Sequence, residues 1–126
     1  MFTLTAEDHA MLQGVNPKLV QVIEHAAAIA LVPFKVLCGL RSAADQMIAF
    51  KAGHSKRDGI HKLSNHQKGT AVDICPLING KAEHNSWTPF YPMAANVKKA
   101  AAELGIPISW GGDWKSFKDG PHFELK

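Results

Sequence analysis

The sequence predicts an α+β domain, a small and largely antiparallel sheet with helices packed on it. Three observations carry this reading. Apolar residues recur at helical spacing in two stretches, several short runs have the apolar character of buried strands, and helices come first while strands interleave later. At 126 residues and 46% hydrophobic content, the chain matches one domain, residues 1–126, with a core that needs no disulfide or partner.

The elements follow in order. A short helix is expected from about Thr5 to Gln13. Asn16-Pro17 then places an N-cap residue before a proline at the first helical position, where a missing N–H leaves nothing unsatisfied. Leu19, Val20, Ile23, Ala26, Ala27, Ala30 and Leu31 form one apolar face of the helix that follows, and Pro33 stops it. Phe34 to Gly39 reads as a short buried strand. Ser42 can cap a further helix running to about Ala52, with its exit at Gly53. From His54 to Lys68 the chain is polar and has neither helical nor strand period, which predicts a long loop. In the strand Thr70 to Cys75, alternation puts Val72 and Ile74 on one face and Ala71 and Asp73 on the other, so Asp73 faces away from the apolar side. Asn79-Gly80 favours a hairpin return. After Pro92, the set Met93, Val97, Ala100, Ala101 and Leu104 marks a helix closed by Gly105. Ile108 to Trp110 is a short strand entered through Pro107, Gly111 to Gly120 is loop, and His122 to Leu125 is a terminal strand pointing Phe123 and Leu125 into the core.

Composition narrows the surroundings. The stretch Met1 to Val15 carries Glu7 and Asp8 and has no basic segment followed by a long apolar run, so it does not read as a secretory signal. No apolar run is long enough for membrane insertion. Cys38 and Cys75 lie in apolar strand-like stretches, where thiols behave as small buried hydrophobes, consistent with folding in a reducing cytoplasm. There are 14 Lys+Arg against 11 Asp+Glu, with much of the excess between Lys51 and Lys68. That basic segment suits an anionic polymer without saying which, and a solvated loop explains it equally well.

A catalytic zinc ion takes three protein ligands from His, Asp or Glu and keeps one position for water. His66 at the end of the polar loop, Asp73 seven residues on, and His122 on the terminal strand offer such a set. One carboxylate and two neutral imidazoles leave a net positive site, the condition for lowering the pKa of a bound water and polarising a carbonyl. Zinc is favoured over calcium or magnesium because imidazole dominates. On composition alone the choice stays open. The chain has seven histidines, and a histidine beside an aspartate is more commonly a hydrogen-bonded structural pair than a ligand set.

The motif Ser64-x-His66-x-x-Gly69-x-Ala71-x-Asp73, followed by Asp119-x-Pro121-His122, resembles the paired signature of the D-alanyl-D-alanine carboxypeptidase (VanY-like) family of zinc peptidases. The nearer likeness within it is to phage endolysins of the L-alanyl-D-glutamate peptidase type. Gly39-Leu40-Arg41-Ser42 and the run from Trp110-Gly111-Gly112-Asp113-Trp114 to His122-Phe123 resemble theirs in the same order, covering most of the chain from Phe34 onwards. The resemblance implies a Hedgehog/DD-peptidase fold, with His66, Asp73 and His122 as zinc ligands and Asp119 as the general base that activates water. Many relatives place glutamate at the base position and the endolysin branch aspartate. Arg41 corresponds to an arginine near the reacting carbonyl or a substrate carboxylate, a task suited to a permanently charged guanidinium, although a surface ion pair would explain it too. Ser64 is assigned to positioning the ligand loop or substrate, with turn hydrogen bonding as the competing role. Trp110 is assigned to substrate binding and Trp114 to the cleft, with core packing as the alternative for both.

The implied activity is hydrolysis of the peptidoglycan stem peptide between L-alanine and D-glutamate, leading to cell lysis. The implied enzyme is a monomer without a wall-binding domain, made in the host cytoplasm and dependent on a holin to reach the wall. A D-alanyl-D-alanine carboxypeptidase or an inactive zinc-stabilised murein-binding module is the alternative. A nuclease using the basic loop would need a second paired histidine on a helix, which the sequence lacks, so no nucleic-acid partner is expected. Asp113 and Glu124 are rival acids: Asp113 could orient a ligand or bind another cation, and Glu124 shares a strand face with His122 and could support it. His54, His61 and His84 are candidates for the cleft, whereas His9 and His25 read as solvent-facing.

Overall fold

A computed structural model describes residues 2–40, 47–48, 51–52, 65–84, 86–115 and 118–126. Arg41, Ser42, Gly53, His54, His61 and Ser64 lie outside the described residues. Of the helix expected to end near Ala52, Met47, Ile48 and Lys51 are helical, and the Ala52 N–H donates to the Ile48 carbonyl at 3.0 Å.

The first helix, α1 (Ala6–Met11), starts from a capping box in which the Thr5 hydroxyl accepts from the Asp8 N–H while the Asp8 carboxylate accepts from the Thr5 N–H. The other oxygen of the buried Asp8 accepts the Val36 N–H at 2.9 Å, so the cap also pins α1 to the first strand. Helix α2 (Pro17–Ile29) begins at the Asn16 cap and Pro17 as the sequence predicts. It ends two residues sooner than the apolar pattern suggested. Ala30 is already extended, and Leu31 is 88% exposed rather than part of the buried face. Helix α3 (Phe90–Leu104) starts before Pro92, not after it. Pro92 sits in the first turn, where a helix asks for no N–H donor, and Gly105, left-handed at φ 69°, closes the helix.

The sheet is antiparallel throughout, with path order β1-β2-β5-β4 for β1 (Phe34–Cys38), β2 (Ala71–Ile78), β5 (His122–Leu125) and β4 (Ile108–Trp110). Two-residue β3 (Lys81–Ala82) pairs back on β2 through Asn79 and Gly80, whose φ values of 54° and 78° are those of a tight hairpin turn. β2 thus runs three residues beyond the expected strand. Register determines the faces. Val36 lies opposite Ile74, Val72 opposite Phe123, and Phe123 opposite Trp110, which gives an apolar face continuous with Leu19, Ile23, Met93 and Val97 of α2 and α3. On the other face Asp73 lies opposite His122, and Ala71 opposite Glu124. A register shift between Val36 and Cys38 brings Cys38 opposite Asp73 on that same polar face. The α+β class with an antiparallel sheet is therefore as predicted. Among the described residues no helix is long and apolar enough to cross a membrane.

Candidate metal centre

Asp73 sits on an internal strand with neighbours on both sides, and its Oδ1 is the point on which two imidazoles converge. His66 Nε2 lies 3.3 Å from it and His122 Nδ1 3.4 Å. His122 reaches it from the adjacent strand β5. His66 reaches it from the turn leading into β2, which is held by the Thr70 N–H and hydroxyl donating to the Asn65 carbonyl. The two histidines are 4% and 7% exposed, and their rings meet edge to face.

The outward contacts decide which nitrogen of each ring faces inward. A carbonyl only accepts, so His66 Nδ1 donates to the Gly39 carbonyl at 3.0 Å, and Nε2 is the nitrogen that faces Asp73. His122 Nε2 lies 2.7 Å from Glu124 Oε1, which leaves Nδ1 as the nitrogen facing the same Asp73 oxygen. Gly39 has to be glycine: a Cβ there would stand 2.0 Å from the Met11 carbonyl oxygen.

Electrostatics agree with this geometry. Burial alone would push the His66 pKa down, but hydrogen bonding to Asp73 and Cys38 more than reverses this and holds it at about 10. His122 is also raised, burial again being outweighed by Asp73 and Glu124. For Asp73, burial acts upward and the two histidines pull it well below the usual carboxylate range. The oxygen is thus an anion between two imidazoles whose basicity it raises.

Two donor sets share Asp73, one with Asp119 and His122 and the other with Cys38 and His66, each with donor atoms within 4.8 Å of one another. A regular tetrahedron with zinc bonds of about 2.0–2.1 Å has edges of about 3.3–3.4 Å. The His66–Asp73 and His122–Asp73 separations match those edges, and the two histidines, which fall in different donor sets, are joined through Asp73; these two edges and the donor chemistry suit a zinc ion. Cys38 belongs to the second of these sets. Its sulfur approaches His66 at Nδ1, 3.8 Å away, the nitrogen already engaged by Gly39 and not the one facing Asp73.

Asp119 lies on the connection from β4 to β5, three residues before His122. Its N–H donates to the Gly111 carbonyl at 3.1 Å, and its own carbonyl accepts the His122 N–H at 3.3 Å. A Cβ on Gly111 would stand 2.3 Å from the Asp119 carbonyl oxygen, and one on Gly112 equally close to the Trp110 ring. The Trp110-Gly111-Gly112 sequence is thereby explained as the seat of the Asp119 turn. Trp110 completes the seat by donating its indole N–H to the Gly120 carbonyl at 2.7 Å.

The sequence assignments divide accordingly. His66, Asp73, His122 and Asp119 come together, whereas Arg41 and Ser64 lie outside the described residues. Trp110 is corrected: it is 5% exposed, stacks on Phe123 and lies on the apolar face, behind the ligand strands. Trp114 is the indole at the site, its ring centroid 5.0 Å from that of His122. Asp113 is exposed and pairs with Lys98 at 2.7 Å. Glu124 supports His122 as its shared strand face suggested. His84 is exposed, with Nδ1 3.8 Å from the Cys75 thiol. His25 is not simply solvent-facing, since its Nε2 hydrogen-bonds to Glu103 Oε1 at 2.8 Å. Cys75 is a buried thiol as expected, but Cys38 is only part-buried, beside His66. The Gly39 carbonyl was beyond sequence reasoning, because backbone acceptors carry no residue signature.

Comparison with known proteins gives one answer. The model of the phage L-alanyl-D-glutamate peptidase family matches residues 1–126. The L-alanyl-D-glutamate peptidase of Escherichia phage T5 is 30% identical over 99% of this chain and 90% of its own length. The peptidoglycan L-alanyl-D-glutamate endopeptidase CwlK of Bacillus subtilis is 32% identical over 69% of this chain and 57% of its own. Among solved structures, the Serratia marcescens L-Ala D-Glu endopeptidase ChiX superposes with a TM-score of 0.86 at 43% identity, over 98% of this chain and 89% of that one. With the donor set, the turn that seats Asp119 and these three relatives in agreement, the chain belongs to the phage L-alanyl-D-glutamate peptidase family.

Proposed function

We propose that this chain is a zinc-dependent endolysin that hydrolyses the L-alanyl-D-glutamate bond of the peptidoglycan stem peptide. The observation that carries the reading is the convergence of His66 Nε2 and His122 Nδ1 on Asp73 Oδ1 at tetrahedral-edge distances, with Asp119 alongside. Family membership supplies the bond. Residues 1–126 act as a single catalytic domain of the Hedgehog/DD-peptidase type, working as a monomer on the cell wall after a holin lets it out of the host cytoplasm.

His66, Asp73 and His122 hold the zinc ion, which when bound supplies Lewis acidity to the scissile carbonyl and acidifies water. The Asp119 carboxylate accepts a proton from the attacking water as its oxygen bonds to the L-alanyl carbonyl carbon. As the C–N bond breaks, Asp119 returns that proton to the leaving amine of D-glutamate. Arg41 donates to the developing oxyanion or a substrate carboxylate, Ser64 positions the ligand loop, and Trp114 walls the His122 side of the cleft. The test is mass spectrometry of digested, purified peptidoglycan. Stem peptides released with a new D-glutamyl N-terminus are expected. Free D-alanine without such peptides would make the protein a carboxypeptidase instead, and no product at all with metal bound would leave a binding module.

A further inference from the structure

We propose that Glu124 is a positioning residue whose two carboxylate oxygens clamp both metal-binding segments, His122 through one and the His66 turn through the other. The inference deepens the zinc reading above and rests on it. Glu124 Oε1 takes the His122 Nε2–H at 2.7 Å, while Oε2 accepts Asn65 Nδ2 at 2.8 Å. Asn65 directly precedes His66, and its carbonyl anchors the turn to Thr70 by two hydrogen bonds. One side chain on β5 therefore ties together ligands that the sequence separates by 56 positions, His66 and His122. The register makes this unavoidable, because Glu124 lies opposite Ala71, at the point where the turn enters β2.

The clamp has a polarity. Both partners donate, so only an acceptor with two free oxygens satisfies them. Glutamine keeps the size but offers one oxygen and one NH₂; with the oxygen given to His122, its NH₂ meets that of Asn65 head on. Changing Asn65 to aspartate as well reverses that second bond and restores it. A residue that merely filled space would show no such pattern.

The experiment measures zinc affinity by chelator competition, and the visible spectrum of the cobalt-substituted protein, for the full chain and for Glu124→Gln, Asn65→Asp and the double variant. Thermal melts check that each is folded. Each single change is expected to weaken zinc by about 10- to 100-fold and to shift the cobalt bands, and the double variant to recover most of both. Wild-type affinity in Glu124→Gln, or a double variant no better than the singles, would overturn the clamp. A wild-type chain that binds no zinc would overturn the metal reading and the clamp together, whereas absent peptidase activity with zinc bound would sink only the activity.

Discussion

At the scale of single residues, the site turns on which nitrogen of each histidine faces inward. Gly39 and Glu124 take the outward N–H of His66 and His122, so the inward nitrogens Nε2 and Nδ1 meet at Asp73. A base within reach of that point is expected to matter for turnover and not for metal. Asp119→Asn should lower kcat by about 10²- to 10⁴-fold while zinc stoichiometry, measured by elemental analysis, stays at the wild-type value; loss of zinc in this variant would make Asp119 a ligand instead. The raised His66 pKa sets a pH dependence. A group raised from 6.5 to about 10 adds its full stability below about 6.5 and loses it as pH climbs toward 10. Asp73, depressed from 3.8, adds stability above that value and loses it in acid. Chelator-stripped protein should therefore melt at steadily lower temperature from pH 6.5 to 10, and zinc-loaded protein should not, because the ion takes the proton's place. Equal melting temperatures of stripped protein at pH 6 and pH 9 would contradict this.

At the scale of elements, the decisive piece is the connection from β4 to β5. Gly111 lets the backbone of Asp119 come close enough to donate to its carbonyl, and the buried indole of Trp110 closes the seat. Gly111→Ala is expected to cut activity far more than stability, since the nearest atom is backbone and the turn carrying Asp119 must move; melting curves and kcat on the same preparation separate the two. Elements were the most legible level of the sequence, because Asn16-Pro17, Asn79-Gly80 and Gly105 each have one physical use. The misreadings have causes. Leu31 has the right spacing for the α2 face, but Ala30 has already left the helix, and Pro92 looked like a start signal although a first turn tolerates it as well. Trp110 beside two glycines carries the signature of a cleft residue and of a packed one alike, and only the strand register, with Phe123 opposite, decides between them.

At the scale of the molecule, the sheet divides labour between its faces: one covered by α2 and α3, the other carrying Asp73, His122 and Glu124. Phe123, fully buried at the centre of the apolar face, should cost about 3–5 kcal/mol when changed to alanine, read by denaturant unfolding. β5 lies between β2 and β4, so deleting the last five residues removes an internal strand and is expected to abolish folding along with zinc binding; His122→Ala is the cleaner test of the ligand. That His66, Asp73, Asp119 and His122 gather was legible only through the resemblance of the paired motif, since seven histidines left composition open. Which nitrogen of each ring faces Asp73, the nearness of Cys38 and the two hydrogen bonds of Glu124 were not legible, since all three depend on strand register and a backbone carbonyl. The most direct measurement of the central claim is zinc K-edge X-ray absorption on the metal-loaded protein. A first shell of only nitrogen and oxygen at about 2.0–2.1 Å, with two imidazoles, is predicted. A sulfur neighbour at about 2.3 Å, which would draw the ion to Cys38, or a shell without imidazole, would contradict it.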